Sequence, residues 1–192
     1  FSCSFSSDFT KATLTIRNVF QETELKAFCD SVFKEINRRK IPEITIDLRN
    51  NTGGSSKCVE RLISYFPHPD YSLYSKSLLK VSSYSKAYNK GRHPEIYRQI
   101  CNLPDGELFV MEDTPVKSNL KEAELYHGKT IILVNNKTYS GASTLAHTME
   151  KLGIASVEGE TGCPDVYFGN YLHFTLPNSK IDYYISFSKF YE

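Results

Sequence analysis

The sequence predicts an α/β protein with a mainly parallel central sheet. Short apolar runs alternate along the chain with longer stretches in which apolar residues recur every three to four positions, the spacing of one helix face. The order is strand, helix, strand, helix. Two strands joined through a helix are usually parallel neighbours in one sheet, so this order indicates crossover helices that cover a parallel sheet.

Residues 10–17 begin the pattern, because they alternate between polar and apolar side chains and predict a half-buried strand. Its inward-facing side chains are Ala12, Leu14 and Ile16. The first helix is predicted over residues 22–40. Its first turn carries acidic residues and its last turn basic ones, which suits the helix dipole. Its apolar face consists of Leu25, Phe28, Cys29, Val32 and Ile36.

The same alternation returns twice more. A second strand begins at Ile44, and the helix after it has its apolar face at Cys58, Val59, Leu62, Ile63 and Phe66. Residues 131–134 predict a third strand, which leads into a helix that starts at Gly141. Gly153 suits the left-handed position that follows a helix end, and residues 154–158 predict the next strand.

Residues 67–106 interrupt the pattern with a stretch rich in Ser, Tyr and Lys. We predict a strand pair within residues 75–87 and a short helix around residues 94–101. Tyrosine combines an apolar ring with a polar tip, so this insertion either contacts an extended peptide or is a surface excursion packed by its own rings. The chain closes with a predicted hairpin of residues 171–175 and 181–187.

Length and composition limit the classes of function. With 192 residues, 40% of them hydrophobic, residues 1–192 are predicted to form a single domain with a sizeable core, or one domain with a small appendage. The chain has 23 basic and 22 acidic residues, so its charge does not indicate a nucleic-acid partner. No apolar run reaches the roughly 18–20 residues of a membrane-spanning helix. We therefore expect no nucleic acid partner and no membrane span.

The five cysteines form no C-x-x-C pair and show no spacing typical of a metal site, and we expect neither a metal nor a cofactor. Their odd number argues against a complete disulfide framework and leaves a single bridge open. Cys29 and Cys58 lie on apolar helix faces, where a small buried hydrophobic residue is predicted. The sequence begins at Phe1 without an initiator Met, so we interpret it as a piece excised from a longer protein.

Ser140 lies where the strand of residues 131–134 gives way to a helix. The first turn of a helix offers unpaired backbone N–H groups and the positive end of the helix dipole. A hydroxyl beside such amides supplies two parts of an acyl-transfer site, a nucleophile and an oxyanion-binding group. The alternative is that Ser140 is only the N-cap of the helix, a position that serine favours.

A second stretch, D-L-R-N-N-T-G-G from Asp47 to Gly54, also follows a predicted strand. Together with N-N-K-T-Y-S-G-A-S about ninety residues later, it resembles the tail-specific (C-terminal-processing) serine protease family, which includes the tricorn core and interphotoreceptor retinoid-binding protein domains. Residues 159–162, Gly-Glu-Thr-Gly, are similar to the G-E-x-T-G of that family. The resemblance covers nearly the whole chain.

This resemblance implies an endopeptidase core in which Ser140 is the nucleophile. The oxyanion hole would come from the amide of Gly141 and from that of Gly53 or Gly54. Glu160, within the third matching motif, is a candidate for a supporting role, and a salt bridge or a loop cap is the alternative. The implied fold is the crotonase-like (ClpP-like) stacked ββα spiral. The implied substrate is protein or peptide in extended conformation, in a periplasmic or secreted setting outside the cytoplasm.

The sequence shows no recognisable general base for Ser140. The bacterial members use a lysine shortly after G-E-x-T-G, but this chain has Cys163-Pro164-Asp165 there and no lysine until Lys180. The tricorn-like branch uses a histidine upstream of the first strand and a glutamate downstream of the last hairpin, which would both fall outside residues 1–192. His147 lies two helical turns from Ser140, roughly 10 Å away. We therefore expect the isolated chain to be folded but catalytically incompetent.

The main alternative belongs to another class of function. The retinoid-binding relatives imply that the same fold can serve as a non-catalytic module that binds peptides or apolar ligands. The lack of a visible base favours this alternative, while the presence of both the serine and the glycine pair opposes it. Fluorophosphonate labelling distinguishes the two.

Overall fold

A computed structural model describes residues 1–19, 21–117, 120–160 and 168–191. The strands are β1 (Ser2–Phe5), β2 (Lys11–Thr15), β3 (Glu43–Asp47), β4 (Lys76–Lys80), β5 (Leu108–Glu112), β6 (Lys129–Val134), β7 (Ser156–Gly159), β8 (Phe168–Thr175) and β9 (Asp182–Tyr191). The helices are α1 (Glu22–Arg39), α2 (Ser56–Ile63), α3 (Ser83–Arg92), α4 (Pro94–Ile100) and α5 (Gly141–Lys151), with a 3-10 turn at Glu122–Glu124.

The chain divides into two compact units. The first contains Phe1–Leu73 and Pro115–Val166, and the second contains Tyr74–Thr114 and Tyr167–Glu192. Each unit is built on its own sheet. The order of the first sheet is β1-β2-β3-β6-β7, and the order of the second is β5-β4-β9-β8.

The first unit confirms the predicted α/β class with a mostly parallel sheet. Strands β2, β3, β6 and β7 are parallel neighbours, and β1 is added antiparallel beside β2. Helix α1 connects β2 to β3, and α5 connects β6 to β7, as crossover helices do. Strand β1 was not predicted, because its four residues are half-buried at most and show no long apolar pattern.

The core of the first unit lies between the sheet and the helices. Helix α1 buries Leu25, Cys29, Phe33 and Ile36, and Phe33 stacks on Tyr65 with 4.7 Å between ring centroids. The predicted burial of Cys29 and Cys58 is confirmed, since both are 0% exposed. Burial raises the pKa of the Cys29 thiol to about 12, so that side chain is a packing residue at neutral pH.

The second unit corrects one prediction. The strand pair expected within residues 75–87 is wrong, because only β4 is a strand and α3 begins at Ser83. Ser82 and Ser85 form reciprocal hydrogen bonds at the start of α3, a capping box that favours a helix over a continued strand. Strand β4 instead pairs with β5 and β9, both far away in sequence.

The other predictions for this region are confirmed. The short helix expected around residues 94–101 is α4, with Pro94 in its first turn. The closing hairpin is β8 and β9, which pair antiparallel from Phe168 to Thr175. Gly153 has φ +70° directly after the end of α5, as its place in the sequence predicts. In the part of the chain that the structure describes, no helix is long and apolar enough to cross a membrane.

Candidate active site

The two motifs meet because their strands are neighbours. Strands β3 and β6 are parallel, and Asp47 pairs with Leu133 near their carboxyl ends. Residues 48–55, called here the glycine loop, and residues 135–141, the serine loop, therefore leave the same edge of the sheet side by side. In open α/β sheets this edge is where ligands usually bind.

Hydrogen bonds join the two loops directly. The Thr138 hydroxyl donates to the Leu48 carbonyl at 3.0 Å, and the bond is buried. The Asn135 side chain accepts from the Asn50 amide at 2.9 Å and donates to the Asn50 side chain at 3.1 Å. These contacts fix the position of the serine loop relative to the glycine loop.

Ser140 has an unusual backbone conformation, with φ 52° and ψ −130°. These values match the first central position of a type II′ turn, which normally takes glycine. A side chain there costs about 1–3 kcal/mol, and such strain concentrates at functional sites. The Ser140 side chain is half-buried and makes no capping hydrogen bond. Ser140 does occupy the N-cap position of α5, but its hydroxyl does not form the capping hydrogen bond that the N-cap alternative expects.

The glycines of both motifs lie against each other and against Ser140. A Cβ atom placed on Gly53 would lie 2.6 Å from the Ser140 Cβ and 2.7 Å from the Gly141 nitrogen. A Cβ placed on Gly141 would lie 3.2 Å from the Gly54 nitrogen. The structure thus brings together four of the five predicted site residues: Ser140, Gly141, Gly53 and Gly54.

The amides of these glycines differ in availability. The Gly53 N–H donates to the Asn51 side-chain oxygen at 2.9 Å in a buried bond. The Gly54 and Gly141 amides, by contrast, have no acceptor among the residues that the structure describes. Two unpaired N–H groups close to a serine hydroxyl are the donors that an oxyanion hole needs.

Glu160, the fifth predicted residue, is exposed and follows β7 directly. Gly159 pairs with Val134 in the sheet, which places Glu160 at the edge where the serine loop begins. Within the described ranges Glu160 forms no hydrogen bond or ion pair, so its role stays a prediction. Residues 161–167, which include the end of its motif and Cys163, lie outside the described residues.

The histidines supply no visible base for Ser140. His127 binds the Glu122 carboxylate at 3.1 Å, and His173 binds that of Asp182 at 3.1 Å. His147 is exposed on α5. No residue that the structure describes forms a hydrogen bond with the Ser140 hydroxyl.

A buried carboxylate supports the start of the glycine loop. Asp47 is 4% exposed and accepts two hydrogen bonds from the Arg49 guanidinium, at 2.9 and 3.0 Å, and one from Arg17 at 2.9 Å. These bonds, with that of Arg49 first, hold the pKa of Asp47 well below its usual range although burial acts in the opposite direction. Arg17 also donates to the Arg49 carbonyl, so the cluster ties β2 to the glycine loop.

Sequence reasoning missed two contributors to this site, Asn51 and Thr138. Both are buried, and their side chains bind backbone groups of the glycine loop. In the sequence, a polar residue among glycines and asparagines cannot be distinguished from an ordinary turn residue. Their burial depends on the neighbouring loop, and only the three-dimensional structure shows it.

The chain belongs to peptidase family S41, whose family model matches residues 12–175. Its fold is similar to those of solved family structures. The structure of mature CPAF complexed with lactacystin matches 93% of this chain and 43% of its own, with 14% sequence identity and a TM-score of 0.62. The photosystem II D1 C-terminal processing protease matches 94% of this chain and 38% of its own, with 11% identity and a TM-score of 0.55.

A putative peptidase from Parabacteroides merdae matches 97% of this chain and 50% of its own, with 15% identity and a TM-score of 0.59. The chain thus spans half of these solved chains at most. No curated protein matches the sequence. The predicted resemblance to the C-terminal-processing proteases is therefore confirmed at the level of the family and the fold.

We predict that Gly53→Ala lowers the free energy of unfolding by at least about 2 kcal/mol. Gly53 has φ +98°, and the added Cβ would collide with Ser140, so backbone strain and overpacking each cost about 1–3 kcal/mol. Gly91→Ala is the control, because its added Cβ would meet nothing within 4 Å apart from its chain neighbours and the backbone of α3 itself. That variant should gain about 0.5–1 kcal/mol. Urea unfolding measures both, and equal changes would contradict the packing shown here.

We predict that Asp47→Asn makes stability less sensitive to acid. Because the pKa of Asp47 is lowered in the native state, the unfolded chain takes up a proton at this carboxyl before the native state does as the pH falls below about 4. The stabilisation that the ionised Asp47 contributes is therefore fully present above that pH and is lost below it. Asp47→Asn lacks this contribution at neutral pH, so its free energy of unfolding should fall less on acidification. Asp70→Asn, at an exposed ion pair with Lys117, serves as the control. Urea midpoints from pH 3 to pH 7 test this, and parallel curves for wild type and Asp47→Asn would contradict it.

Proposed function

We propose that this chain is the core of a serine endopeptidase in which Ser140 is the nucleophile. One observation carries the proposal: Ser140 stands in a strained, glycine-like conformation at the start of α5, with its hydroxyl unbonded in the described structure and two unpaired amides beside it. A strained serine at a strand-to-helix turn is the arrangement by which other hydrolases present a nucleophile.

The chemistry follows from this arrangement. The Ser140 oxygen attacks the carbonyl carbon of a peptide bond while a base takes its proton, and the carbonyl oxygen becomes an oxyanion. The amides of Gly141 and Gly54 donate hydrogen bonds to that oxygen, and the positive end of the α5 dipole favours its charge. The base then gives its proton to the leaving nitrogen, the C–N bond breaks to release the amine, and the acyl-enzyme left on Ser140 is hydrolysed by water. This mechanism needs no metal and no cofactor.

The substrate class rests on the family. One solved structure is described as a C-terminal processing protease and another as a putative peptidase. For this chain we propose a protein or peptide substrate bound in extended conformation, which can add a strand beside a sheet. We also propose the crotonase-like arrangement of stacked ββα units, which the repeated strand–helix steps support, and an extracytoplasmic setting.

The base that activates Ser140 is proposed to lie outside the described residues. An unactivated serine retains only the acceleration that binding and the oxyanion hole supply, about 10³–10⁴ over water. Glu160 keeps its proposed supporting role at the same edge of the sheet. A lysine at the position that the bacterial proteases use is absent from the sequence, which favours the branch with a histidine and a glutamate.

We predict that Ser140→Ala in the full-length protein lowers kcat by about 10⁴–10⁶, as expected for a catalytic serine, with little change in melting temperature. Ser143→Ala is the matched control on the same helix. Its hydroxyl only donates to the Thr138 carbonyl, and activity should stay within about tenfold. Cleavage of fluorescein-labelled casein and mass-spectrometric mapping of a fluorophosphonate probe provide the readouts. Turnover that survives in Ser140→Ala, or a label on another serine, rules out this nucleophile.

Ser140→Gly separates the functional and structural contributions of this position. Glycine adopts the observed backbone angles without strain, so the variant should lose activity and gain about 1–3 kcal/mol of stability. A purely structural serine would instead give a variant with unchanged activity. Wild-type protein that neither cleaves nor labels supports the alternative of a non-catalytic binding module.

We also predict that a polypeptide of these 192 residues alone unfolds cooperatively but does not cleave casein at a detectable rate. The core strands and helices lie within it, while no described residue bonds to the Ser140 hydroxyl. The same assay on a chain extended at both ends gives the comparison. Equal turnover by the two would show that the base is already present, and substitutions of His173 and Glu160 would then identify it.

A further inference from the structure

We infer that Asn51 is a positioning residue that holds the Gly54 amide in place for the oxyanion. The inference rests on the proposed function. Asn51 touches no reacting atom itself. It acts on the peptide group before Gly53, while the Val19 N–H holds the peptide group after Gly53, and the two together decide where the Gly54 N–H points.

Asn51 joins three separate segments. Its side-chain NH₂ donates to the Ile16 carbonyl at 2.9 Å, just after β2. Its side-chain oxygen accepts the Gly53 N–H at 2.9 Å, and its backbone carbonyl accepts the Tyr139 N–H at 2.9 Å in the serine loop. The residue is 0% exposed. Hydrogen bonds of a buried side chain are costly to leave unmade, so each constrains its partner strongly.

The first constraint acts on the peptide group before Gly53. The bond from the Gly53 N–H to the side chain of Asn51, two residues earlier, is an Asx turn, which folds the chain back on itself. It holds Gly53 at φ +98°, the conformation in which this glycine fits against Ser140. The Gly53 amide is thereby removed from the set of possible oxyanion donors.

The second constraint acts on the next peptide group. The Gly53 carbonyl accepts from the Val19 N–H at 3.1 Å. A trans peptide group is planar, and its C=O and N–H point in opposite directions. The Gly54 N–H must therefore point away from Val19. Gly141 lies close by, since a Cβ placed on it would be 3.2 Å from the Gly54 nitrogen.

The side chain of Asn51 suits this task because it carries a donor and an acceptor without charge. The donor anchors it to the Ile16 carbonyl, and the acceptor then holds Gly53 relative to β2. Removal of the side chain releases the Gly53 N–H, so the φ angle of Gly53 is no longer fixed and the Val19 bond alone holds the peptide group that carries the Gly54 N–H. We expect kcat to fall by about 10²–10³, the effect of losing one oxyanion donor. KM should change by less than about threefold, because the oxyanion donor does not contribute to ground-state binding.

The test compares three substitutions in the full-length protein with labelled casein and a fluorophosphonate probe. Asn51→Ala removes both side-chain bonds. Asn51→Ser keeps a hydroxyl that can accept from the Gly53 N–H, as serine does more weakly in such turns, but it cannot reach Ile16. We expect kcat and the rate of Ser140 labelling to fall most in Asn51→Ala and to recover about tenfold in Asn51→Ser.

Asn37→Ala is the matched structural control. The Asn37 side chain also donates two hydrogen bonds to distant backbone carbonyls, those of Glu124 and Leu125, at 3.1 and 3.3 Å. Asn37 lies in the last turn of α1, which precedes the first residue of β3. The glycine loop follows the last residue of β3, so Asn37 lies at the other end of that strand. We expect Asn37→Ala to lower the melting temperature and to leave kcat unchanged.

The outcomes separate this inference from the proposed function. Loss of activity in Ser140→Ala with wild-type kcat in Asn51→Ala overturns the positioning role alone, and so does equal kcat in Asn51→Ala and Asn51→Ser. Activity that survives in Ser140→Ala overturns both proposals. If Asn51→Ala does not fold, Asn51→Ser is compared with Asn37→Ala. A lower kcat in Asn51→Ser at unchanged KM then supports the role, and equal kcat in the two overturns it.

Discussion

The site depends on the buried hydrogen bonds that connect the glycine loop and the serine loop. The bonds of Thr138 to Leu48 and of Tyr139 to Asn51 are made between segments about ninety residues apart. Leu48, Asn51 and Thr138 are buried, so breaking one of these bonds leaves a buried polar group unsatisfied at a cost of about 1–3 kcal/mol. Two loops that would otherwise move independently therefore keep one relative position, and this fixes the distance between the serine and the glycine amides.

These bonds also explain how the strain at Ser140 persists. A serine with φ 52° and ψ −130° is disfavoured by about 1–3 kcal/mol, and an isolated loop would relax. Here the residue before it is bonded to Asn51, and the residue after it begins α5, so both ends of the turn are held. Gly53 completes the arrangement because any side chain there would occupy the space of the Ser140 Cβ. The stability of the sheet and helices thus maintains a conformation useful only to the site.

The sequence predicted those features that follow from repeated patterns. Parallel strands place their carboxyl ends at one edge, so the meeting of the two motifs was predictable once both were seen to follow strands. Helix α3 was not predictable, because its Ser- and Tyr-rich sequence lacks helical periodicity. Its start depends on the hydrogen bonds between Ser82 and Ser85. The sequence could not distinguish Gly53 from Gly54 as the second amide donor, because the two glycines are adjacent. The buried side chain of Asn51, which binds the Gly53 amide, makes the difference.

The same geometry limits where the proposed general base can lie. Gly53 is buried against one side of Ser140, and the amides of Gly54 and Gly141 lie at the proposed oxyanion site. A base therefore has to approach the Ser140 oxygen from a direction that neither Gly53 nor these two amides occupy. In the proposed mechanism the oxyanion site is formed by backbone alone and needs no charge of its own, so its donors are in place before a base arrives. With this division of roles, the proposed nucleophile and oxyanion site stay fixed while the source of the base can vary.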